Sequence, residues 1–143
     1  MSNLTLSKAT PFLMFTGRAE EALTLYRDLF GDAEFDVVQR YGPEGPGAEG
    51  TIMHARLRIG DQVLIAFDSP PVHEFDFTPS LSLFVSCDSE EEIDRLFAGL
   101  SEDGFVMMPL STEYAFAAKY AWLSDRFGVS WQLSLALDVG AVA

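Results

Sequence analysis

The scarcities of this sequence narrow it first. Of its 143 residues 1 is cysteine, Cys87, and 2 are histidine. A lone thiol excludes an internal disulfide and a multi-cysteine zinc site. Cys87 ends an apolar run, so it reads as a buried, inert thiol that packs as a small hydrophobe. Positive charge is scarce too: 9 Lys and Arg stand against 22 Asp and Glu, a formal net charge of -13. Such a surface repels phosphate backbones, and no Lys/Arg cluster makes a local exception. Neither nucleic acid nor a membrane is expected as a partner. No apolar run approaches the roughly 20 residues of a membrane helix. The stretch from Met1 to Thr10 has no apolar core of signal-peptide length, so the expected location is the cytoplasm.

Apolar material, in contrast, is plentiful. Hydrophobic residues make up 48% and aromatics 13% of the chain, enough to pack a core. The pattern begins at Ser89, which with Glu92 forms an S-x-x-E capping box at a helix start. Ile93, Leu96, Phe97 and Leu100 then fall on one helical stripe, and Gly104 is expected to close it. The short apolar stretch from Ser80 to Cys87 before it reads as a strand. The same order stands near the N-terminus. Pro11 to Thr16 is a strand, Ala22, Leu25, Tyr26 and Leu29 form a helical stripe, and Gly31 ends it. Three strand-like segments follow each helix: Phe35 to Tyr41, Thr51 to Ile59 and Val63 to Asp68, then Phe105 to Leu110, Phe116 to Ser124 and Val129 to Leu137. The closing glycines recur at a period of about seventy residues, the mark of an internal repeat.

The expected class is therefore α+β: two βαβββ modules forming mixed, curved sheets around a cavity, with helices on the outer face. The boundaries read as an N-terminal extension (1–10), a first module (11–68), a linker (69–79), a second module (80–137) and a C-terminal tail (138–143). Gly42 to Gly50 is a loop by composition and the candidate for a flap over that cavity, with an ordinary surface loop as the alternative.

A paired strand–helix–three-strand unit in so short a chain resembles the vicinal oxygen chelate superfamily, the glyoxalase/bleomycin-resistance type. The segments PFLMFTGRAEEALTLYRDLFG, IMHARLRIGDQVLIAFDS and YAWLSDRFGVSWQLSL look like its PhnB-like branch, named for 3-demethylubiquinone-9 3-methyltransferase. This resemblance runs from Pro11 to Leu137 and rests on no catalytic motif, so it speaks for fold more than for activity. It implies a homodimer. In metal-using relatives His and Glu residues from the first and last strands of each half hold a divalent ion. Carried over by position, these ligands fall on Pro11, near Ala66, on Ser80 or Ser82, and on Gln132. None of these is a strong ligand for a transition metal, so no metal and no cofactor is expected. The methyltransferase name meets a separate objection: the first strand-to-helix turn, Thr16-Gly17-Arg18, lacks the glycine-rich pattern of a nucleotide site.

Strand alternation gathers the candidate site residues. Ser130, Gln132 and Ser134 share one face, while Trp131 and Leu133 point toward the helix layer. Phe116, Tyr120 and Trp122 alternate on one strand face, as pocket wall or as core. His54, Arg56 and Arg58 share a face, and Asp68 lies with Ala66 and Leu64. One reading makes His54, Arg56, Asp68, Ser82, Trp122 and Gln132 the anchors of a small-molecule ligand, the arginine gripping an oxyanion and the histidine moving a proton. The other makes Arg56 and Asp68 a structural ion pair. The run from Glu90 to Glu92 is explained by the helix start, where negative charge is stabilising. The function expected is metal-independent binding of a small organic molecule in an aromatic-lined cavity. The alternative is a metal-dependent lyase, isomerase or dioxygenase with shifted ligands such as His54, Asp68 and His73. Methyl transfer is the least favoured.

Overall fold

The computed structural model describes residues 4–137. The first three residues of the expected N-terminal extension and the expected tail at 138–143 lie outside the described residues. The chain divides into two compact units, one ending at Asp76 and the other starting at Phe77. Each carries the βαβββ order expected from the repeat.

In the first unit the elements are β1 (Phe12–Phe15), α1 (Ala19–Phe30), β2 (Ala33–Arg40), β3 (Ile52–Ile59) and β4 (Gln62–Asp68). Their sheet runs β1-β4-β3-β2, with β1 parallel to β4 and the other pairs antiparallel. The second unit holds β5 (Ser82–Cys87), α2 (Glu90–Ser101), β6 (Phe105–Ser111), β7 (Lys119–Ser124) and β8 (Ser130–Leu135). Its sheet runs β5-β8-β7-β6, again with a single parallel pair, β5 with β8. Among the described residues no helix is long and apolar enough to cross a membrane.

Each sheet has one face under its helix. In the first unit Leu13, Ala55 and Ala66 share a register position on that face and are buried. The helix answers with Ala19, Ala22, Leu23, Tyr26 and Phe30. The buried stripe thus runs through Leu23 and Phe30, whereas Leu25 and Leu29, expected within it, are only half-buried. In the second unit Trp131, Leu133, Ala121 and Leu123 lie under Ile93, Leu96 and Leu100, as the alternation predicts for Trp131 and Leu133. Burying each of the larger apolar side chains here stabilises its unit by about 1.5–3 kcal/mol.

The two helices start differently. α2 is capped from its own sequence: the Ser89 hydroxyl accepts the Glu92 N–H at 3.1 Å, and the Glu92 carboxylate accepts the Asp88 N–H at 2.6 Å. α1 has Arg18 at its N-cap with no side-chain cap of its own. Its cap comes from the end of β4 instead, where Asp68 accepts the N–H groups of Gly17 at 2.8 Å and Ala19 at 2.9 Å.

The helix ends also differ. Gly31 closes α1 with φ 78°, as expected. After α2 the left-handed position is taken by Asp103, with φ 60°, and not by Gly104. Gly104 is fixed for another reason: a Cβ there would collide with the Ser124 carbonyl oxygen on β7. Phe116 precedes β7 and does not alternate along it, correcting the longer strand expected from residue 116.

Candidate functional site

Every strand has a second face, turned away from its unit's helix, and the candidate residues divide between these faces. On the first sheet His54 and Arg56 do share the face opposite α1. Arg56 donates from Nη1 to the Leu4 carbonyl at 2.9 Å and from Nε to His54 Nε2 at 3.4 Å. Its guanidinium therefore pins the segment before β1, and Leu4 is buried. On β1 and β4 the rings of Phe12 and Phe67 pack at a tilt of 57°, with centroids 5.0 Å apart.

Asp68 does not join this pair. It stands beside Phe15 in the β1/β4 register, on the helix side, and is buried. Its two oxygens accept three backbone N–H groups, those of Gly17, Ala19 and Ile52. The expected choice between a ligand anchor and an ion pair with Arg56 is thus corrected. The carboxylate is a structural acceptor that caps α1 and ties β3 to it, because the sequence supplies no local cap at Arg18. His73 lies in the segment after β4 and stacks on Phe75 at 4.7 Å.

On the second sheet the face opposite α2 carries Ser82, Trp122 and Gln132 together. The register sets Ser130 beside both Ser82 and Ser124, and Gln132 beside both Phe84 and Trp122. Side chains on adjacent strands at one register position lie within reach of one another, and here they bond. Tyr120 donates its hydroxyl to Gln132 Oε1 at 2.6 Å, and the Trp122 indole N–H donates to Ser130 Oγ at 2.9 Å. Ser130 and Ser82 share a hydroxyl hydrogen bond of 2.8 Å, and Ser82 reaches the Pro79 carbonyl at 3.3 Å. Tyr120 is enclosed edge-on by Tyr114 and Phe116 at 5.4 and 4.9 Å. Burial raises its pKa, which keeps the hydroxyl a protonated donor. Beside this half-buried network Phe84 is 60% exposed.

Tyr120 and Phe84 were not singled out as Gln132's neighbours by sequence reasoning. The signal was present: Ser82, Phe84 and Ser86 alternate with the apolar Leu83, Val85 and Cys87. What alternation lacks is register, which decides that Phe84 and Trp122 flank Gln132. Cys87 falls on the other face, buried, and burial pushes its thiol up to about 12, as an inert thiol should behave.

The metal positions implied by the resemblance can be tested against this register. Ala66 faces α1 and is buried, so it does not correspond to Gln132. The β4 residues on the open face, as Gln132 is on β8, are Ile65 and Phe67, opposite Phe12 and Met14, and neither carries a side-chain donor atom. Pro11 presents its backbone carbonyl to the Ile65 N–H at 2.9 Å. Isoleucine and proline offer no side-chain donor atom, and serine and glutamine are weak ligands, so these residues do not fit a divalent transition metal. Among the described residues no group of three or more His, Cys, Asp or Glu side chains is placed to hold a metal ion. The loop from Gly42 to Gly50, weighed as a flap, is fastened at its base. Arg40 forms a two-pronged pair with Glu20, at 2.9 and 2.8 Å, and also donates to the Gly50 carbonyl.

Comparison with known proteins agrees with this architecture. The model of the 3-demethylubiquinone-9 3-methyltransferase family matches residues 7–134. The PhnB protein from Bacillus cereus is 48% identical, with 91% of this chain and 100% of that one covered and a TM-score of 0.86. PA1353 from Pseudomonas aeruginosa is 32% identical over 93% of this chain and 100% of its own, with a TM-score of 0.78. The fosfomycin resistance protein FosX from Mesorhizobium loti shares the fold at 10% identity, covering 97% of this chain and 100% of that one, with a TM-score of 0.55. No curated protein matches the chain.

Proposed function

We propose a function from the premise that this chain belongs to the 3-demethylubiquinone-9 3-methyltransferase family, a PhnB-like branch with the vicinal oxygen chelate fold: it binds a small organic molecule without a metal. The binding surface is the face of the second sheet opposite α2. The observation that carries this reading is the network of Tyr120, Gln132, Trp122, Ser130 and Ser82, which places polar groups in fixed orientations beside the exposed ring of Phe84. Apolar walls with a few oriented polar groups are what small-molecule sites are made of. The network's titratable group, Tyr120, is kept protonated by burial and bonded to Gln132, so binding is favoured over turnover.

The family's name brings group transfer to mind, but the first strand-to-helix turn supports it poorly. The N–H groups of Gly17 and Ala19, which could otherwise take an oxygen of a methyl donor at that turn, already hold Asp68. The alternative of shifted ligands at His54, Asp68 and His73 is weakened by the same three backbone bonds to Asp68. The proposal includes a homodimer in the cytoplasm, which light scattering on the purified protein and fractionation of cells would check.

The test is metal analysis of untagged protein, followed by thermal-shift titrations with zinc, nickel, manganese, iron(II), S-adenosylmethionine and small aromatic compounds. The expected result is no stoichiometric metal and a melting shift with aromatic compounds alone. A tightly held metal ion, or stabilisation by S-adenosylmethionine, would overturn the reading.

A further inference from the structure

Hydrogen-bond accounting in the second unit specifies the ligand more closely. The Tyr120 hydroxyl proton is committed to Gln132 Oε1, and the Trp122 indole proton to Ser130 Oγ. The two serine hydroxyls have two protons and satisfy each other and the Pro79 carbonyl, which also lies 3.4 Å from Ser130 Oγ. Every polar hydrogen of the network is then spent except those on the Gln132 amide nitrogen, which has no acceptor among the described residues. With its oxygen bonded to Tyr120, the amide's unspent hydrogens are the two on its nitrogen.

The surroundings are uncharged. The strand residues that share this face are Ser82, Phe84 and Ser86 on β5, Phe105, Met108 and Ser111 on β6, and, around Gln132, serines and aromatics on β7 and β8. Lys119 points the other way and pairs with Asp94 and Glu90 of α2. An anion would find no cation here, in a chain of formal net charge -13. Phe84, 60% exposed beside Gln132 in the register, offers an apolar surface one residue from the donor.

We infer that the Gln132 amide donates to the carbonyl oxygen of an uncharged ligand whose apolar body rests on Phe84. This inference rests on the binding reading above. Tyr120 is the positioning residue, since its hydroxyl sets which end of the amide faces the ligand.

Four probes separate the possibilities in NMR titrations of the full chain: acetophenone as a neutral carbonyl acceptor, phenol as a donor, benzoate as an anion and ethylbenzene as the apolar body alone. Acetophenone should bind tighter than ethylbenzene by roughly five- to tenfold, the value of one net hydrogen bond. Phenol and benzoate should gain no such margin. Gln132→Leu should erase the margin while ethylbenzene affinity persists. Tyr120→Phe, which keeps the ring, should shrink it by releasing the amide to turn. Tighter binding of phenol than acetophenone, or a margin that survives Gln132→Leu, would overturn the inference and leave the binding reading standing. Failure of all four probes to bind would overturn both.

Discussion

The two modules share one blueprint and spend their polar residues in opposite ways. Each buries an aspartate. In the first, Asp68 reaches across sequence to cap α1 and hold Ile52. In the second, Asp125 stays local, accepting the N–H groups of Phe127 and Val129 in the β7–β8 turn and the Trp131 indole N–H. Because α2 has its own Ser89 cap, nothing on β8 is needed at its start. The end of β4, by contrast, is committed to the helix. The open faces differ as well: Arg56 in the first module ties down Leu4, while the second module's network of hydroxyl, indole and amide groups ends in a donor with no acceptor among the described residues. Duplication supplies a frame twice; the side chains then make one half an anchor and the other a candidate binding face.

Cap substitutions would break that comparison most sharply. Asp68→Ala strands three backbone N–H groups and should cost about 3 kcal/mol, read as a drop in the urea midpoint. Ser89→Ala should cost only about 1 kcal/mol. Equal losses would show that the long-range cap carries no special weight. The glycines after the helices give a smaller contrast. Gly104→Ala drives a Cβ against the Ser124 carbonyl and should cost about 2 kcal/mol. Gly31→Ala strains only its positive φ, at about 1 kcal/mol.

A further contrast concerns pH. Cys87, buried in the second module, is held at about 12, above its ordinary value of 9.0. In the unfolded chain the thiol ionises first, so its contribution is intact below pH 9 and stability falls as pH rises from there toward 12. Cys87→Ala should flatten that decline, and native Cys87 should resist thiol reagents at pH 8.

Much of the frame could be read from the chain because it is written in local signals. Ser89 and Glu92 mark one helix start, Gly31 one helix end, and the alternation around Trp131 one sheet's inner face. The parts that were misread depend on distance. Nothing near Arg18 reveals that Asp68 is its cap, and nothing near Gly104 reveals the Ser124 carbonyl. Helical periodicity admits both Leu25 and Leu23, and only the sheet beneath decides which is buried. The same holds for the candidate site. Alternation groups Ser130 with Gln132, yet strand register is required to bring Tyr120, Phe84 and Ser82 to them.

The central claim, that the ligand meets the second sheet's open face, has a direct test in the chain's 2 tryptophans. Trp122 lies on that face with its indole N–H on Ser130, whereas Trp131 lies under α2 with its indole N–H on Asp125. A ¹⁵N–¹H correlation spectrum should therefore show two indole signals, assigned by Trp122→Phe. Titration with acetophenone should move the Trp122 signal in a saturable way and leave that of Trp131 in place. A Trp122 signal that stays still while amides around His54 and Arg56 shift would contradict the account.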